Sequence, residues 1–395
     1  MNIISKIKPS KQEKIFVEKN IKEFLKQLKK IKFIKPVVGG SISKDTWLNG
    51  TKEVDIFACF NYSKFKDKSD KISQILHKEL KNLFKVNLVH GSRDYFHVNY
   101  NNLIFEIVPI LEIKRPEQIR NITDISPLHI KFVNKFPKLK DEIRILKAFC
   151  KANFLYGAES YISGFSGYAL EVLVIYYKSF NNVLKNSLKW KSKTVIDFYN
   201  ALKDPFSELN PSKIISPLIV IDPVDKTRNI TSSLSLDKFS KFKKISHAYL
   251  RKPSEDFFNK NKSIPKEALV ILIKPLKGKS DIIYAKVLKA INYIKKEILI
   301  RDFIILEDDI FWDEEVTYWF KLKEKFLAEE FVKKGPPENL VNNVIDFKNK
   351  YKSVFLKDGI YYTKLKREFT NISDLLNKII KSVYVKERVK DVQWK

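Results

Sequence analysis

The sequence predicts an α+β protein with more than one domain, on three observations. Its 395 residues exceed what one simple core organises, so two or three domains are expected. Hydrophobic residues make up 44% of the chain and aromatics 13%, enough to bury a core in each domain. Segments with a helical apolar period and short apolar strands both occur near each end of the chain.

Ser10 and Glu13 form a capping-box pattern after Pro9, which predicts a helix start. Val17, Ile21, Phe24, Leu25, Leu28 and Ile31 continue it with helical spacing. Phe33 to Val38 reads as a strand and Gly39-Gly40-Ser41 as a strand-to-helix turn. Such a turn frees backbone N–H groups that cradle a phosphate. The chain returns as a second strand, Glu53 to Phe60. Alternation puts the carboxylates of Glu53 and Asp55 on one face and Val54 and Ile56 on the other. Two carboxylates on one face beside a phosphate cradle suit Mg²⁺ held between protein and triphosphate. Lys71 to Phe84 reads as an amphipathic helix. Tyr95–Tyr100 and Leu103–Ile110 read as strands joined by Asn101-Asn102, because asparagine tolerates the left-handed angles of a tight hairpin. Glu106 is the lone carboxylate of the second arm. It is costly there unless it pairs with one of the many lysines or with a metal.

A second domain is expected from Asp141. Ile143, Leu146, Phe149 and Cys150 share one helix face, and Arg144, Lys147 and Lys151 share another that reads as solvated. Ser166-Gly167 starts a helix expected over Tyr168 to Lys178. The basic segment Lys185 to Lys193, with Trp190 inside, has two readings, a surface loop or an RNA contact. From Pro253 the character shifts. Strands are expected at Ala268–Ile273, Phe303–Phe311 and Thr317–Leu322, and helices at Ile282–Ile298 and over 339–349, after Lys334-Gly335-Pro336-Pro337. The last twenty residues read as helical and basic. Glu307-Asp308-Asp309 follows no phosphate-binding turn, so it is not assigned a metal. The expected domains are therefore 1–140, 141–252 and 253–395.

Lysine and arginine number 75 against 46 acidic residues, a formal net charge of +29. That excess attracts polyanions; its other reading is a lysine-rich proteome from an AT-rich genome. No segment joins the charge to an amphipathic membrane anchor, and no apolar run approaches the ~20 residues a bilayer requires. Tyr168 to Tyr177 comes closest, and Glu171 interrupts it. The N-terminus lacks the apolar region of a signal peptide. Cys59 and Cys150 fit neither a zinc spacing nor a disulfide framework, which points to buried free thiols in a reducing compartment and a cytoplasmic location.

The spacing Gly40-Ser41, eleven residues, then Glu53-Val54-Asp55-Ile56 resembles the signature of the polymerase-β-like nucleotidyltransferase superfamily. Thr46-Trp47-Leu48 with Gly50 narrows the likeness to the archaeal (class I) CCA-adding enzymes. It continues in Val108-Pro109, in Ser126-Pro127-Leu128-His129 ("TPFH" in the family) and in the block from Leu146 to Phe180. The loop 221–231 is similar to the family's "DPVDPxRNV", with Lys226-Thr227 departing from it.

The resemblance covers roughly residues 30 to 350, most strongly in the first 230. It implies a nucleotidyltransferase palm, a mainly helical central domain that binds nucleotide and tRNA, and a small α+β tail that reads tRNA by its backbone. The implied activity is Mg²⁺-dependent transfer of CMP and AMP from CTP and ATP to the tRNA 3′ end without a nucleic-acid template, releasing pyrophosphate. By resemblance, Glu53, Asp55 and Glu106 hold one Mg²⁺, and Glu53 and Asp55 a second. Gly40, Ser41, Lys44, Thr46, His129, Lys147 and Tyr156 bind the nucleotide. Arg228 selects the base, or else pairs with Asp222 or Asp225 to hold its loop. Relatives carry aspartate where Glu106 stands and arginine where Lys44 stands. His97 matches no motif and reads as structural. Relatives are commonly dimers, so a homodimer is a further expectation. Two competing readings are a poly(A) polymerase-like enzyme on the same palm and a non-catalytic basic RNA-binding protein.

Overall fold

The computed structural model describes residues 3–259 and 264–395. Its contacts divide the chain into two units, Met1–Asn261 and Lys262–Lys395.

The first unit opens with α1 (Ile3–Ile7) and α2 (Lys11–Leu28). The Ser10 hydroxyl accepts from Glu13 N at 3.1 Å, and the Glu13 carboxylate accepts from Ser10 N at 2.8 Å, so two otherwise unpaired N–H groups are satisfied reciprocally. The apolar stripe of α2 is buried at Val17, Ile21, Phe24 and Leu28. The strands are β1 (Ile34–Val38), β2 (Glu53–Asn61), β3 (Asn87–Val89), β4 (Tyr95–Tyr100) and β5 (Leu103–Glu112). They form one sheet in the order β1-β2-β5-β4-β3, and β2 runs parallel to β5. The short helices α3 (Gly40–Ser43) and α4 (Tyr62–Phe65) flank β2, and α5 (Ile72–Leu83) follows. One sheet face buries Val54, Ile56, Phe96, Phe105 and Ile107 against α2 and against Leu76 and Leu80 of α5. The Phe24 ring stacks on Phe105 with centroids 3.9 Å apart.

The same unit continues with α6 (Ser126–Asn134), α7 (Lys140–Ala152), α8 (Gly167–Tyr177) and α9 (Phe180–Ser187). After these come β6 (Thr194–Ile196), α10 (Pro205–Glu208), β7 (Leu218–Val220) and α11 (Leu236–Arg251). These helices share a separate core that includes Leu146, Phe149, Leu173 and Phe242. The expected boundary at residue 140/141 falls at the start of α7, inside the first unit. The RNA-contact reading of Trp190 is corrected here. Its ring is buried and stacks on Phe239 and Phe242, with centroids 6.2 and 5.8 Å away. Its Nε1 donates to the Tyr177 hydroxyl at 3.1 Å. The lysines of this segment, Lys185, Lys189 and Lys191, stay exposed while the aromatic turns inward.

The second unit runs β8 (Leu269–Lys274), α12 (Ser280–Leu299), β9 (Ile305–Phe311), β10 (Val316–Leu322) and β11 (Glu330–Pro337). It continues with α13 (Val341–Lys350), β12 (Val354–Lys357), β13 (Ile360–Lys366), α14 (Ile372–Ile380), α15 (Val383–Lys386) and β14 (Asp391–Trp394). A four-stranded sheet, β14-β8-β10-β9, packs Ile271, Ile273 and Phe320 against Ile291 and Ile294 of α12 and Leu376 of α14. A separate sheet has the order β11-β13-β12. The last twenty residues are not helical throughout. β14 pairs antiparallel with β8, Val392 opposite Ile273 and Trp394 opposite Ile271. Val392 and Trp394 alternate with exposed Asp391 and Gln393, so the terminal signal has period two rather than 3.6. Asp308 of the acidic cluster pairs with Lys295 at 2.7 Å.

Trp190→Ala is expected to lower unfolding stability by about 3–5 kcal/mol, as for a large core ring. Urea denaturation measures it; a change below about 0.5 kcal/mol would return Trp190 to the surface.

Candidate active site

The carboxylates of the palm sit where strand alternation puts them. Val54 and Ile56 are fully buried, Glu53 is exposed and Asp55 is half-buried on the opposite face. In the parallel register Asp55 stands directly opposite Glu106. The hairpin extends this row. Asn101 and Asn102 have φ of 48° and 62°, the tight turn their residue type favours. That turn pairs Tyr100 with Leu103 and, three steps on, His97 with Glu106. His97 Nε2 lies 3.1 Å from Glu106 Oε2. His97 therefore belongs to the site although no motif marks it. The two-residue turn carried the signal, since counting outward from Asn101-Asn102 places residue 97 across from residue 106.

Gly40 ties the turn to this row. Its φ is +56°, and a Cβ there would meet Asp55 Oδ2 at 1.6 Å. Gly39 N donates to the Asp55 carbonyl at 2.7 Å. The turn thus lies directly on the Asp55 side chain, which only a glycine permits.

Burial raises the Asp55 carboxyl, and Glu53 adds to the rise against the pull of Lys44. Burial also pushes Glu106 up to about 6, with Asp55 acting in the same direction and His97 opposing it. Among the described residues, no three His, Cys, Asp or Glu side chains converge tightly enough to grip an ion as they stand. The donor chemistry nevertheless fits Mg²⁺. Burial raises the carboxyls of Asp55 and Glu106, and their hard oxygens are of the kind a divalent cation takes, which would offset that cost.

A second cluster is built around Glu171 on α8, which is fully buried. Its Oε2 accepts from Lys44 Nζ at 2.6 Å, and its Oε1 accepts from Thr46 Oγ1 at 2.9 Å and Lys147 Nζ at 2.7 Å. Lys147 also donates to Thr46 Oγ1 at 2.9 Å. Burial alone would raise Glu171, but Lys147 and Lys44 overcome it and hold the carboxyl at about 2. Burial lowers the Lys147 ammonium to about 8 against the attraction of Glu171. Three expected nucleotide-binding residues, Lys44, Thr46 and Lys147, therefore meet at one carboxylate. Nothing in the sequence marked it beyond its interruption of an apolar run. The expected solvated face of α7 is corrected at Arg144 and Lys147, which are buried, while Lys151 stays exposed. Arg144 is 1% exposed and donates to the Trp47 carbonyl at 3.1 Å and to Asp45 at 2.5 Å.

A third cluster holds His129. Its Nε2 lies 2.8 Å from Asp222 Oδ2, and its ring stacks on Tyr168 at 3.8 Å. The Tyr168 hydroxyl donates to Asp222 Oδ1 at 3.0 Å. Burial lowers the His129 imidazole although Asp222 pulls the other way. Lys44 Nζ lies 5.8 Å from the centre of the Tyr168 ring, so the second and third clusters are contiguous. Arg228 Nη1 comes 3.8 Å from Asp222 Oδ2 and is buried without a hydrogen-bond partner. Tyr156 lies against the start of α8, where a Cβ on Gly167 would meet its hydroxyl at 2.7 Å. Burial raises its phenol, and Glu171 and Asp55 add to that. The Ser41 carbonyl accepts from Thr46 N at 2.9 Å. A cavity of about 560 Å³ lies elsewhere on the palm, between residues 66–74, 91–94 and 120–121, and none of the three carboxylates lines it.

Residues 141–259 match the family described as "tRNA nucleotidyltransferase, second domain", and residues 269–392 the family described as "CCA-adding enzyme, C-terminal domain". The chain is 38% identical to the CCA-adding enzyme of Nanoarchaeum equitans over 344 residues, 84% of each chain. It is 31% identical to that of Saccharolobus shibatae over 96% of this chain and 91% of the other. For the Methanocaldococcus jannaschii protein the figures are 32%, 96% and 89%. A solved cytoplasmic RNA terminal U-transferase aligns with a TM-score of 0.52 at 15% identity, over 67% of this chain and 96% of its own. The Cid1 poly(U) polymerase, solved with Mg and 3′-dATP bound, aligns with a TM-score of 0.53 at 13% identity, over 66% and 96%. Both likenesses are of fold, the polymerase-β-like nucleotidyltransferase fold. Among the described residues, no helix is long and apolar enough to cross a membrane.

Gly40→Ala is expected to displace Asp55 and reduce nucleotide incorporation by roughly 100-fold, the size of effect of a 1 Å misplacement. The check is incorporation of labelled nucleotide by a folded variant; wild-type turnover would separate the turn from the carboxylate.

Proposed function

The chain belongs to the family of archaeal CCA-adding enzymes, and on that premise we propose that it completes the 3′ end of tRNA. It transfers CMP and AMP from CTP and ATP without a nucleic-acid template. The tRNA 3′-oxygen attacks the α-phosphorus, the bond to the β-phosphate oxygen breaks, and pyrophosphate leaves. The observation that carries this reading is the row Asp55–Glu106–His97 beside the Gly39-Gly40 turn, in a chain of this family. A cytoplasmic location fits the two buried free thiols.

Glu53, Asp55 and Glu106 are the residues that would hold Mg²⁺, whose chemistry is to acidify the attacking hydroxyl and neutralise charge on the leaving pyrophosphate. His97 holds one Glu106 oxygen and so orients the carboxylate. Gly40 and Ser41 present the turn to the triphosphate. Lys44, Thr46, Lys147 and Tyr156 add donors around it, with Glu171 holding both lysines in place. A lysine is a compact charge suited to phosphate, though it lacks the two-pronged grip of arginine. His129, stacked on Tyr168 and anchored by Asp222, lies beside Lys44 at the same edge.

Base choice falls to Arg228. C and A each present an amino donor beside an unprotonated ring nitrogen; U and G present a carbonyl beside a protonated one. Arg228 Nη1 lies 3.8 Å from Asp222 Oδ2 and makes no hydrogen bond, which leaves an N–H to donate. The ring nitrogen of C or A would accept from it. A guanidinium cannot itself accept, so the acceptor for the amino group must come from elsewhere, and an RNA phosphate fits.

The deciding experiment incubates the protein with Mg²⁺, CTP, ATP and a tRNA lacking its last three nucleotides, and sequences the product ends. Asp55→Asn is expected to abolish addition of both C and A while tRNA binding stays near wild type. Glu106→Asp should be tolerated and Glu106→Ala severely impaired. Normal A addition by Asp55→Asn would refute a single shared site.

Arg228→Ala is expected to lower C and A addition and to narrow the preference for C over U. The kcat/KM values for CTP and UTP on one tRNA measure this. An unchanged ratio in a folded variant would leave Arg228 holding its loop through Asp222.

A further inference from the structure

The three-stranded sheet of the second unit is packed on one face by α13. A Cβ on Gly335 would meet the Phe347 ring at 2.6 Å. Lys348 Nζ lies 4.6 Å from the centre of the Tyr361 ring, and Lys333 Nζ 5.4 Å from that of Tyr351, which ends α13. Gly335, Lys333 and Tyr361 therefore point toward the helix, and alternation sends their neighbours to the other face. The register aligns Lys334 with Tyr362 and Tyr362 with Phe355 across the three strands. On the same face, Val332 stands opposite Lys364, and Glu330 opposite Lys366. Lys357 is two residues from Phe355 and shares its face.

The Phe355 and Tyr362 rings stack with centroids 5.8 Å apart and planes 23° from parallel. Phe355 is 39% exposed and Val332 55%. Lys334, Lys357, Lys364 and Lys366 are all exposed. By register, Glu330 is the one carboxylate among these strand residues on this face. An open sheet with a stacked aromatic pair framed by lysines offers what an unpaired nucleotide requires: a flat apolar platform and cations for the adjoining phosphates.

We propose that this sheet face binds RNA by stacking an unpaired base on the Phe355–Tyr362 pair while Lys334, Lys357, Lys364 and Lys366 hold the flanking phosphates. The occupant is chosen on charge. A second copy of the chain would bring four more lysines to the same face and a net charge of the same sign, +29. Two rings with Val332 and Ile360, which stands opposite Lys357, also make a small apolar patch for a stable protein interface. The inference rests on the reading that RNA is the substrate, and it assigns to the second unit a contact with bases as well as with backbone.

The test uses the full chain. Binding of tRNA lacking its last three nucleotides, of a single-stranded RNA 12-mer and of a blunt RNA duplex is titrated for wild type and for Phe355→Leu/Tyr362→Leu. Leucine keeps an apolar strand residue and removes the flat ring. The double variant is expected to bind the tRNA and the 12-mer about 5- to 100-fold more weakly, the loss of one stacked base. Duplex binding and kcat at saturating tRNA should not change. Lys364→Gln/Lys366→Gln should weaken all three and flatten the salt dependence by about one power of salt per lysine. Should the double variant lose its fold, Phe355→Leu alone carries the same comparison. Unchanged tRNA binding by a folded ring variant overturns the proposal. So does an equal loss on duplex, or a dimer that the ring variant dissociates while RNA binding persists. C and A addition by wild type is scored separately, so failure of the CCA reading and failure of this surface are distinguishable.

Discussion

The Glu171 carboxylate is the interaction on which the arrangement of the site depends. It has no exposed surface, and its oxygens take the two ammonium groups of Lys44 and Lys147 and the hydroxyl of Thr46. A buried carboxylate with no partner, or two buried ammonium groups with no counter-charge, would be strongly destabilising. The four groups are satisfied only together. Lys44 and Thr46 follow the palm turn, Lys147 lies on α7 and Glu171 on α8, so pairing them docks the segment after the Gly39-Gly40 turn onto the helices. Arg144, one turn before Lys147, reinforces this through the Trp47 carbonyl and Asp45.

The palm row works by the opposite logic. Asp55 and Glu106 stand side by side on adjacent strands, where burial raises both carboxyls and Asp55 adds to the rise at Glu106. This is unfavourable for the protein alone. Glu106 has one methylene more than the aspartate expected from the family, and its Oε2 meets His97 on the next strand. The glutamate and the histidine therefore read as one feature. Gly40 sets the distance between the turn and the row, since any side chain there would occupy the place of Asp55 Oδ2.

The second unit shows how period and burial decide a surface. In the four-stranded sheet, alternate residues meet the apolar faces of α12 and α14, and a core forms. In the three-stranded sheet, α13 covers one face, and the other keeps its lysines and aromatics in solvent. The net positive charge of the chain thus resolves into particular faces, which composition alone could not locate.

Features that depend on near neighbours were legible in the residue order alone. The start of α2 at Ser10, the sidedness of Glu53 and Asp55, the asparagine turn and three of the seven strands of the second unit, β8, β9 and β10, follow from capping, alternation and turn chemistry, each acting within a few residues. The register of the hairpin, and with it the pairing of His97 and Glu106, was also present in the turn length. The remaining features rest on contacts between segments far apart in the chain. Lys44 and Glu171 are 127 positions apart, and His129 and Asp222 are 93 apart. Trp190 lies in a lysine-rich segment yet enters the core, because Phe239 and Phe242 come from a distant helix to receive it. The terminal residues become a strand because β8 has an edge to pair. A sequence shows that a buried charge, a large ring or a strand edge requires a partner. Which residue satisfies it is settled only when distant segments meet and the water between them is removed.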